Sequence, residues 1–267
     1  MNNENKLPQL SKRLQTVADM VTLNFRVADI GTDHGFVPIY LYSKGISPHV
    51  IAMDVRSGPL ERARTHIEEY GLKEYIECRL SDGMEKLEKG EADAITCAGM
   101  GGPLMQRIIE EGNPQSLGIK EMVLQPQSDL LEFRKYLDDK GYLLLEETII
   151  FEEGKYYFPM KVRTGLNIPG ENDEIVFNDS CLSVYKKCAG EFSKALDISM
   201  EDALRMCYRF GPINIKSKSK LLVRILKHDK EVAEGILPKL DKSEHKDRCT
   251  EIEKELIDID NALRLCE

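Results

Sequence analysis

The stretch Arg26-Val27-Ala28-Asp29-Ile30-Gly31-Thr32-Asp33-His34-Gly35 decides the fold. A short apolar run enters it, a glycine-containing turn follows, and Phe36-Val37-Pro38-Ile39-Tyr40-Leu41 leaves it as a helix. Strand, tight turn and helix make the first unit of a Rossmann-like sheet, whose ligand is expected at the carboxyl end of the strand. The spacing is D-x-G-x-D-x-G, marked by Asp29, Gly31, Asp33 and Gly35. A pyrophosphate site usually places three glycines here so that backbone amides can approach the phosphates. In this chain Asp33 takes the middle glycine position.

Two carboxylates repel a pyrophosphate and suit a ligand that carries an ammonium group. S-adenosylmethionine has no phosphate, a sulfonium and an amino-acid ammonium, so the electrostatics favour it over NAD. The competing reading of Asp29 is a cap on the following helix. The residues further along the chain decide between the two.

The chain has 267 residues, enough for one large domain or two modest ones. Hydrophobic residues make up 42% and charged residues 31%, the composition of a soluble globular protein. No apolar run approaches the length of a membrane span, and the polar start Met1-Asn2-Asn3-Glu4-Asn5-Lys6 lacks the apolar stretch of a signal peptide. Seven cysteines without a CxxC pair form neither a disulfide framework nor a zinc ribbon. They read as reduced thiols of a cytoplasmic protein, and scattered histidines leave no metal site. The net charge of −9 counts against a nucleic-acid partner unless basic residues cluster locally.

Ahead of the first strand, Leu10, Leu14, Val17 and Val21 give one apolar helix face. Lys12 and Arg13 fall off that stripe and read as solvated charges, with a binding rim as the alternative. His49 to Asp54 is a second strand ending in a carboxylate, some twenty residues past the glycines, where Asp54 is placed to accept from ribose hydroxyls. Tyr75 to Leu80 alternates as a third strand and runs into Ser81-Asp82-Gly83-Met84. There Asp82 is placed to accept from an adenine amino group, with Met84 as an apolar neighbour for the ring. Asp-Gly is also an ordinary turn, but three acids at three successive strand ends are less ordinary.

Ala92 to Ala98 is continuous and apolar, as a central parallel strand should be. It ends in Gly99-Met100-Gly101-Gly102-Pro103, whose glycines let backbone approach a ligand ahead of a helix N-terminus. Glu121 to Leu124 is a fifth strand, followed by Gln125-Pro126-Gln127-Ser128. An amide donates and accepts at once, which suits reading the edge of a base. Tyr142 to Ile150 and Tyr156 to Arg163 are read as two strands joined directly as an antiparallel hairpin. Five βα units closed by that hairpin form the seven-stranded α/β sheet of class I methyltransferases, here assigned to residues 1–165.

Residues 166–267 read as a smaller, mainly helical coiled-coil domain, entered through a hinge at Phe210-Gly211-Pro212. Cys249, Ile252, Leu256, Ile259, Leu263 and Cys266 form a heptad seam. Leu222, Ile225, Val232 and Ile236 face it across a polar turn through Ser243. The two stripes satisfy each other in an antiparallel hairpin, so a monomer is expected. Arg205, Arg209, Lys216, Lys218, Lys220, Arg224, Lys227 and Lys230 crowd the entry to this tail. That is the footprint of a phosphate backbone or, equally, a solvated helix face.

Asp29-Ile30-Gly31-Thr32-Asp33-His34, Ala98-Gly99-Met100-Gly101-Gly102, Leu124-Gln125-Pro126 and Phe210-Gly211-Pro212 occur in an order that resembles the bacterial tRNA (adenine-22-N1)-methyltransferases over nearly the whole chain. The Ala98 to Gly102 block is the most specific part. The resemblance implies a Rossmann-like S-adenosylmethionine domain, a coiled-coil domain that meets tRNA, and methylation of adenine N1. Asp29, Gly31, Asp33, Gly35, Ala98 and Gly99 would line the cofactor, with Asp54 at the ribose and Asp82-Gly83 at the adenine. Met100, Gly101, Gly102, His34 and Gln127 would border the target base, and Asp29, Met100 and Gln127 are the catalytic candidates. Arg209, Lys216, Lys218, Lys220 and Arg224 would contact the RNA. Two positions depart from the family's pattern: Gly35 stands where Ala is frequent, and Gln127 where Asn is common. The rival functions are a class I methyltransferase for a small molecule or protein, and a non-enzymatic RNA-binding adaptor.

Overall fold

The computed structural model describes residues 7–165, 183–240 and 245–267. The expected N-terminal start, the exact join between the two domains and the turn through Ser243 lie outside the described residues. The first part alternates strand and helix as the sequence predicts. It comprises β1 (Val27–Ile30), α2 (Phe36–Ser43), β2 (Val50–Asp54), α3 (Ser57–Glu69), β3 (Ile76–Leu80), β4 (Ala94–Met100), α4 (Gly102–Gly112), β5 (Glu121–Pro126) and α5 (Leu130–Asp139), after an N-terminal α1 (Lys12–Asp19). Ser11 caps α1 by accepting from the Leu14 amide.

The strands β6 (Leu143–Glu147) and β9 (Met160–Arg163) complete a seven-stranded sheet of order β3-β2-β1-β4-β5-β9-β6. β1 to β5 pair in parallel, and β9 runs antiparallel to both neighbours. The order reverses between β1 and β4, so the crevice beyond their carboxyl ends is the switch point where ligands bind in open α/β sheets. Side-chain alternation divides the core into two layers. Val50 and Ala52 pack with α1 to α3, whereas Ile51 and Met53 face α4 and α5.

The expected pair of long strands is corrected in one respect. Between β6 and β9 the chain makes a separate two-stranded hairpin, β7 (Ile150–Glu152) and β8 (Lys155–Tyr157). Glu152 at its tip end accepts from the Lys12 and Arg13 amides at 2.6 and 3.2 Å, tying the hairpin to the start of α1.

The helical part begins before the expected hinge, with α6 (Val184–Leu196) and α7 (Met200–Phe210), then α8 (Pro212–Lys216), α9 (Lys220–Ile236) and α10 (Lys246–Cys266). α9 and α10 pack on each other, but α10 also rests on α6, α7 and α8. On α9, Leu222 and Ile225 are buried as read, together with Leu226 and Ala233, whereas Val232 and Ile236 are 46% and 39% exposed, so the second half of the inward stripe differs from the one read in the sequence. Nor is Phe210-Gly211-Pro212 a free hinge. Gly211 has φ 87°, and a Cβ there would lie 2.3 Å from the Glu147 carboxylate. Glu147 accepts from the Ile213 and Asn214 amides at 2.8 and 3.2 Å, and its other oxygen lies 3.3 Å from Arg134. Arg134, fully buried, donates to the carbonyls of Tyr208 and Arg209 at the end of α7. A buried ion pair between α5 and β6 therefore satisfies helix ends in the helical part.

Candidate active site

The β1 turn is pinned to the neighbouring strand: the Gly31 and Thr32 amides both donate to the Met53 carbonyl at 2.8 Å. Gly31 has φ 77°, a conformation that glycine reaches without a Cβ penalty. Asp29 is 7% exposed, and its carboxylate accepts from the Thr96 hydroxyl on β4 at 2.7 Å. Burial pushes its carboxyl above the ordinary aspartate range, with the Thr96 hydrogen bond opposing and the Asp54 charge adding to the rise. The Thr32 hydroxyl, buried beside it, also opposes the rise.

Asp54 is 6% exposed at the end of β2 and accepts from the Arg56 amide at 2.7 Å. Val55, the next residue, is 58% exposed. A bare apolar side chain beside a carboxylate offers a base both a face and an acceptor. Asp82 is exposed and meets Arg107 of α4 at 3.0 Å. A small cavity of about 120 Å³ lies beside it, lined by Gly83, Met84, Ile108 and Glu111. Met84 itself is 3% exposed and packs against Gly112, so it belongs to the core rather than to a ring-stacking face.

Met100 closes β4 with its side chain over the opposite turn, where its terminal methyl lies 2.0 Å from the position a Gly31 Cβ would take. Gly99 is exposed with φ 84°. A Cβ there would meet Arg13 Nη1 at 3.6 Å and Gln127 Nε2 at 3.8 Å. The Gln127 backbone N–H donates to the Met100 carbonyl at 2.9 Å, so the β4 and β5 ends form one floor. The structure thus brings Asp29, Gly31, Asp54, Ala98, Gly99, Met100 and Gln127 to one carboxyl edge of the sheet.

Other expected site residues have different surroundings. Asp33 points to solvent and pairs with Arg62 at 3.2 Å and with His34 at 3.5 Å. His34, with φ 62°, stacks near Phe36 and His66, and its carbonyl accepts from His66 Nδ1. Gly35 is buried against Ala63, where a Cβ would sit 3.0 Å from the Ala63 methyl. Gly101 caps α4, and Gly102 is buried with its missing Cβ 2.6 Å from the Ser128 carbonyl. Both buried glycines serve close packing of the turns that frame the site. Of the basic residues, Arg209 pairs with Glu255 and Asp258, and Lys216 pairs with Glu191. Arg224 lies over the Phe151 ring at 4.5 Å, while Lys218 and Lys220 make no ion pair among the described residues.

Arg13 is the residue sequence reasoning undervalued. Its Nη1 donates to Gln125 Oε1 at 2.8 Å, and its guanidinium lies 5.1 Å from the centre of the Tyr157 ring. Its helix is folded under the site by contacts with β4, β5 and β7. The only sequence signal was its position two residues past the α1 cap and off the apolar stripe.

Residues 10–160 match the family model described as a methyltransferase domain. The chain belongs to that family. It is 40% identical over 157 residues to the tRNA (adenine(22)-N(1))-methyltransferase of Bacillus subtilis strain 168, a match spanning 59% of this chain and 66% of that protein. The crystal structure of the B. subtilis m1A22 tRNA methyltransferase TrmK superposes with a TM-score of 0.74 at 28% identity, covering 96% of this chain and 99% of that one. Streptococcus pneumoniae Sp1610, a candidate tRNA (m1A22) methyltransferase solved with S-adenosyl-L-methionine, gives the same score and identity over 96% of this chain and all of that one. The resemblance to the tRNA (adenine-22-N1)-methyltransferases drawn from the motifs is borne out. No group of three or more metal-ligating side chains assembles among the described residues, and no helix among them is long and apolar enough to cross a membrane.

Proposed function

We propose that this chain methylates N1 of an unpaired adenine in tRNA, at position 22, using S-adenosylmethionine. The observation that carries the reading is the carboxyl edge of the sheet, where buried Asp29 and Asp54 stand opposite the glycine floor of Gly99 and Met100. The residues fit the cofactor. Asp29, held by the Thr96 hydroxyl and flanked by that of Thr32, is a buried acceptor that a cation compensates. Asp54 would hold the ribose hydroxyls, with Val55 and the Asp82-Gly83 turn around the adenine.

When bound, S-adenosylmethionine supplies an electrophilic methyl group on a sulfonium. Adenine N1 has an available lone pair, so the chain need not remove a proton before transfer. Its residues supply alignment: Gly99 leaves room for close approach, and the Gln127 amide is placed to read the base edge. The product base is cationic, and Asp29 and Asp54 favour positive charge at this edge. N1 is blocked in a paired base, so the target must be unstacked and splayed out.

Methyl transfer from labelled S-adenosylmethionine, compared between unmodified tRNA and free adenosine, tests the reading. Label in tRNA alone supports it. Equal labelling of adenosine, or none in tRNA with cofactor bound, contradicts it in favour of a small-molecule substrate.

A further inference from the structure

A second chamber, of about 670 Å³, lies between the β7–β8 hairpin and the helices α9 and α10. Of the active-site residues it shares only Gln127; Asp29, Gly31, Asp54, Gly99 and Met100 lie outside its lining. A group held there is therefore next to the reacting base and is not that base.

One wall is aromatic. Tyr156, Tyr157 and Phe158 follow one another along the end of the hairpin. Tyr156 is packed against Phe151 at 4.7 Å between ring centres, and Tyr157 lies under the Arg13 guanidinium. These rings are fixed before anything binds, which reduces the ordering cost of stacking. Arg224 lies over Phe151 and 5.9 Å from the centre of the Tyr156 ring, placing a cation beside the aromatic wall.

The opposite wall carries His228, Asp229 and Glu255. Glu255 is engaged by Arg209, but the half-buried Asp229 has neither a hydrogen bond nor an ion pair among the described residues. Burial raises its carboxyl above the ordinary range, His228 opposes that rise, and Glu255 adds to it. An acceptor in this state gains from a neutral N–H donor.

Resting on the function proposed above, we propose that this chamber binds a nucleobase adjacent to the methylated adenine, stacked on the hairpin rings, with its exocyclic amino group donating to Asp229. Stacking on aromatic faces is the general means of holding unpaired bases. A carboxylate favours bases that carry an exocyclic amino group, whereas uracil's one donor on that edge, N3–H, is flanked by two carbonyl oxygens that a carboxylate repels. The adjoining cation of Arg224 suits the phosphate that links the two nucleotides.

The test is steady-state methylation by the full chain of tRNA in which each nucleotide flanking the target adenine is replaced in turn by uridine. With the unaltered enzyme, one replacement is expected to raise KM about tenfold, the effect of losing one charge-assisted hydrogen bond. Asp229→Ala is expected to raise KM similarly on native tRNA and to show no further penalty on the uridine tRNA. His228→Trp, at an exposed position on the chamber wall, should also raise KM by obstruction. Binding of S-adenosylhomocysteine should be unchanged in both variants. Unchanged KM in both variants, an absent uridine penalty, or a uridine penalty that persists in Asp229→Ala overturns the inference. An unaltered enzyme that labels no tRNA would instead overturn the function on which it rests.

Discussion

Arg13 on α1 and Gln125 on β5 are hydrogen-bonded at 2.8 Å, joining residues far apart in sequence directly beneath the Gly99 floor. Gln125 is fully buried and its amide nitrogen donates to the Pro126 carbonyl, so its orientation is fixed by both contacts. The loop carrying Gln127 follows at once. Arg13→Ala is expected to lower kcat/KM for tRNA by about 10²-fold through misplacement of that loop, with little change in cofactor affinity. Arg13→Lys should restore little, because an ammonium lacks the planar fork that meets Gln125 and Tyr157 together. Parallel kinetics and cofactor titration of the two variants check this; full activity in Arg13→Lys would contradict it.

Asp29→Asn separates function from stability. Burial raises the Asp29 carboxyl, so the folded chain binds its proton more tightly than the unfolded chain does. Stability linked to this group is present at low pH and is lost as pH rises through the folded value. The amide removes that loss. Thermal melts at pH 7 should show Asp29→Asn at or above the parent Tm, with the gap closing below about pH 4, where the unfolded carboxyl is also protonated. Methyl transfer should fall by about 10²-fold or more. A large drop in Tm at neutral pH would show that the carboxylate is structural.

The Arg134–Glu147 pair joins the sheet to the helical part, with both side chains excluded from solvent. Glu147→Ala should destabilise the chain by about 3–5 kcal/mol, since it strands a buried guanidinium and uncaps α8. The double variant Arg134→Met with Glu147→Leu should recover part of the loss in a denaturant titration. Additive losses would show that the two groups do not act as a pair.

Gly102→Ala tests the packing assigned to the third glycine of the β4 turn. Its Cβ would lie 2.6 Å from the Ser128 carbonyl, a backbone atom that cannot swing aside. Loss of about 1–3 kcal/mol in stability is expected from this overpacking, together with reduced activity as the β5 loop shifts. Urea unfolding reports the first and methyl transfer the second; unchanged values in both would remove Gly102 from the framework of the site.

The periodic parts of the fold were legible because burial imposes them. His49 to Asp54 read as a strand and Ala92 to Ala98 as a central parallel one, and the structure has β2 at Val50–Asp54 and β4 at Ala94–Met100, both inside the parallel sheet. The places of Asp29 and Asp54 at strand ends were legible because each stands in or closes an apolar run that only a buried strand accounts for. What escaped depends on contacts distant in sequence. Arg13 looks solvated until the hairpin and β5 are folded over it, and Gly211 looks like a hinge until Glu147 is seen against it. The second half of the α9 inward stripe was misplaced because Val232 and Ile236 are as apolar as Leu226, and the position of α10 decides between them. The basic run on the tail could not disclose that Arg209 and Lys216 already have acidic partners on other helices.

Nucleoside analysis of tRNA after reaction with labelled S-adenosylmethionine tests the central claim most directly. The label should appear as 1-methyladenosine, and replacing adenine 22 with guanine should abolish it. Label in another nucleoside, or 1-methyladenosine that survives the replacement, would contradict the account.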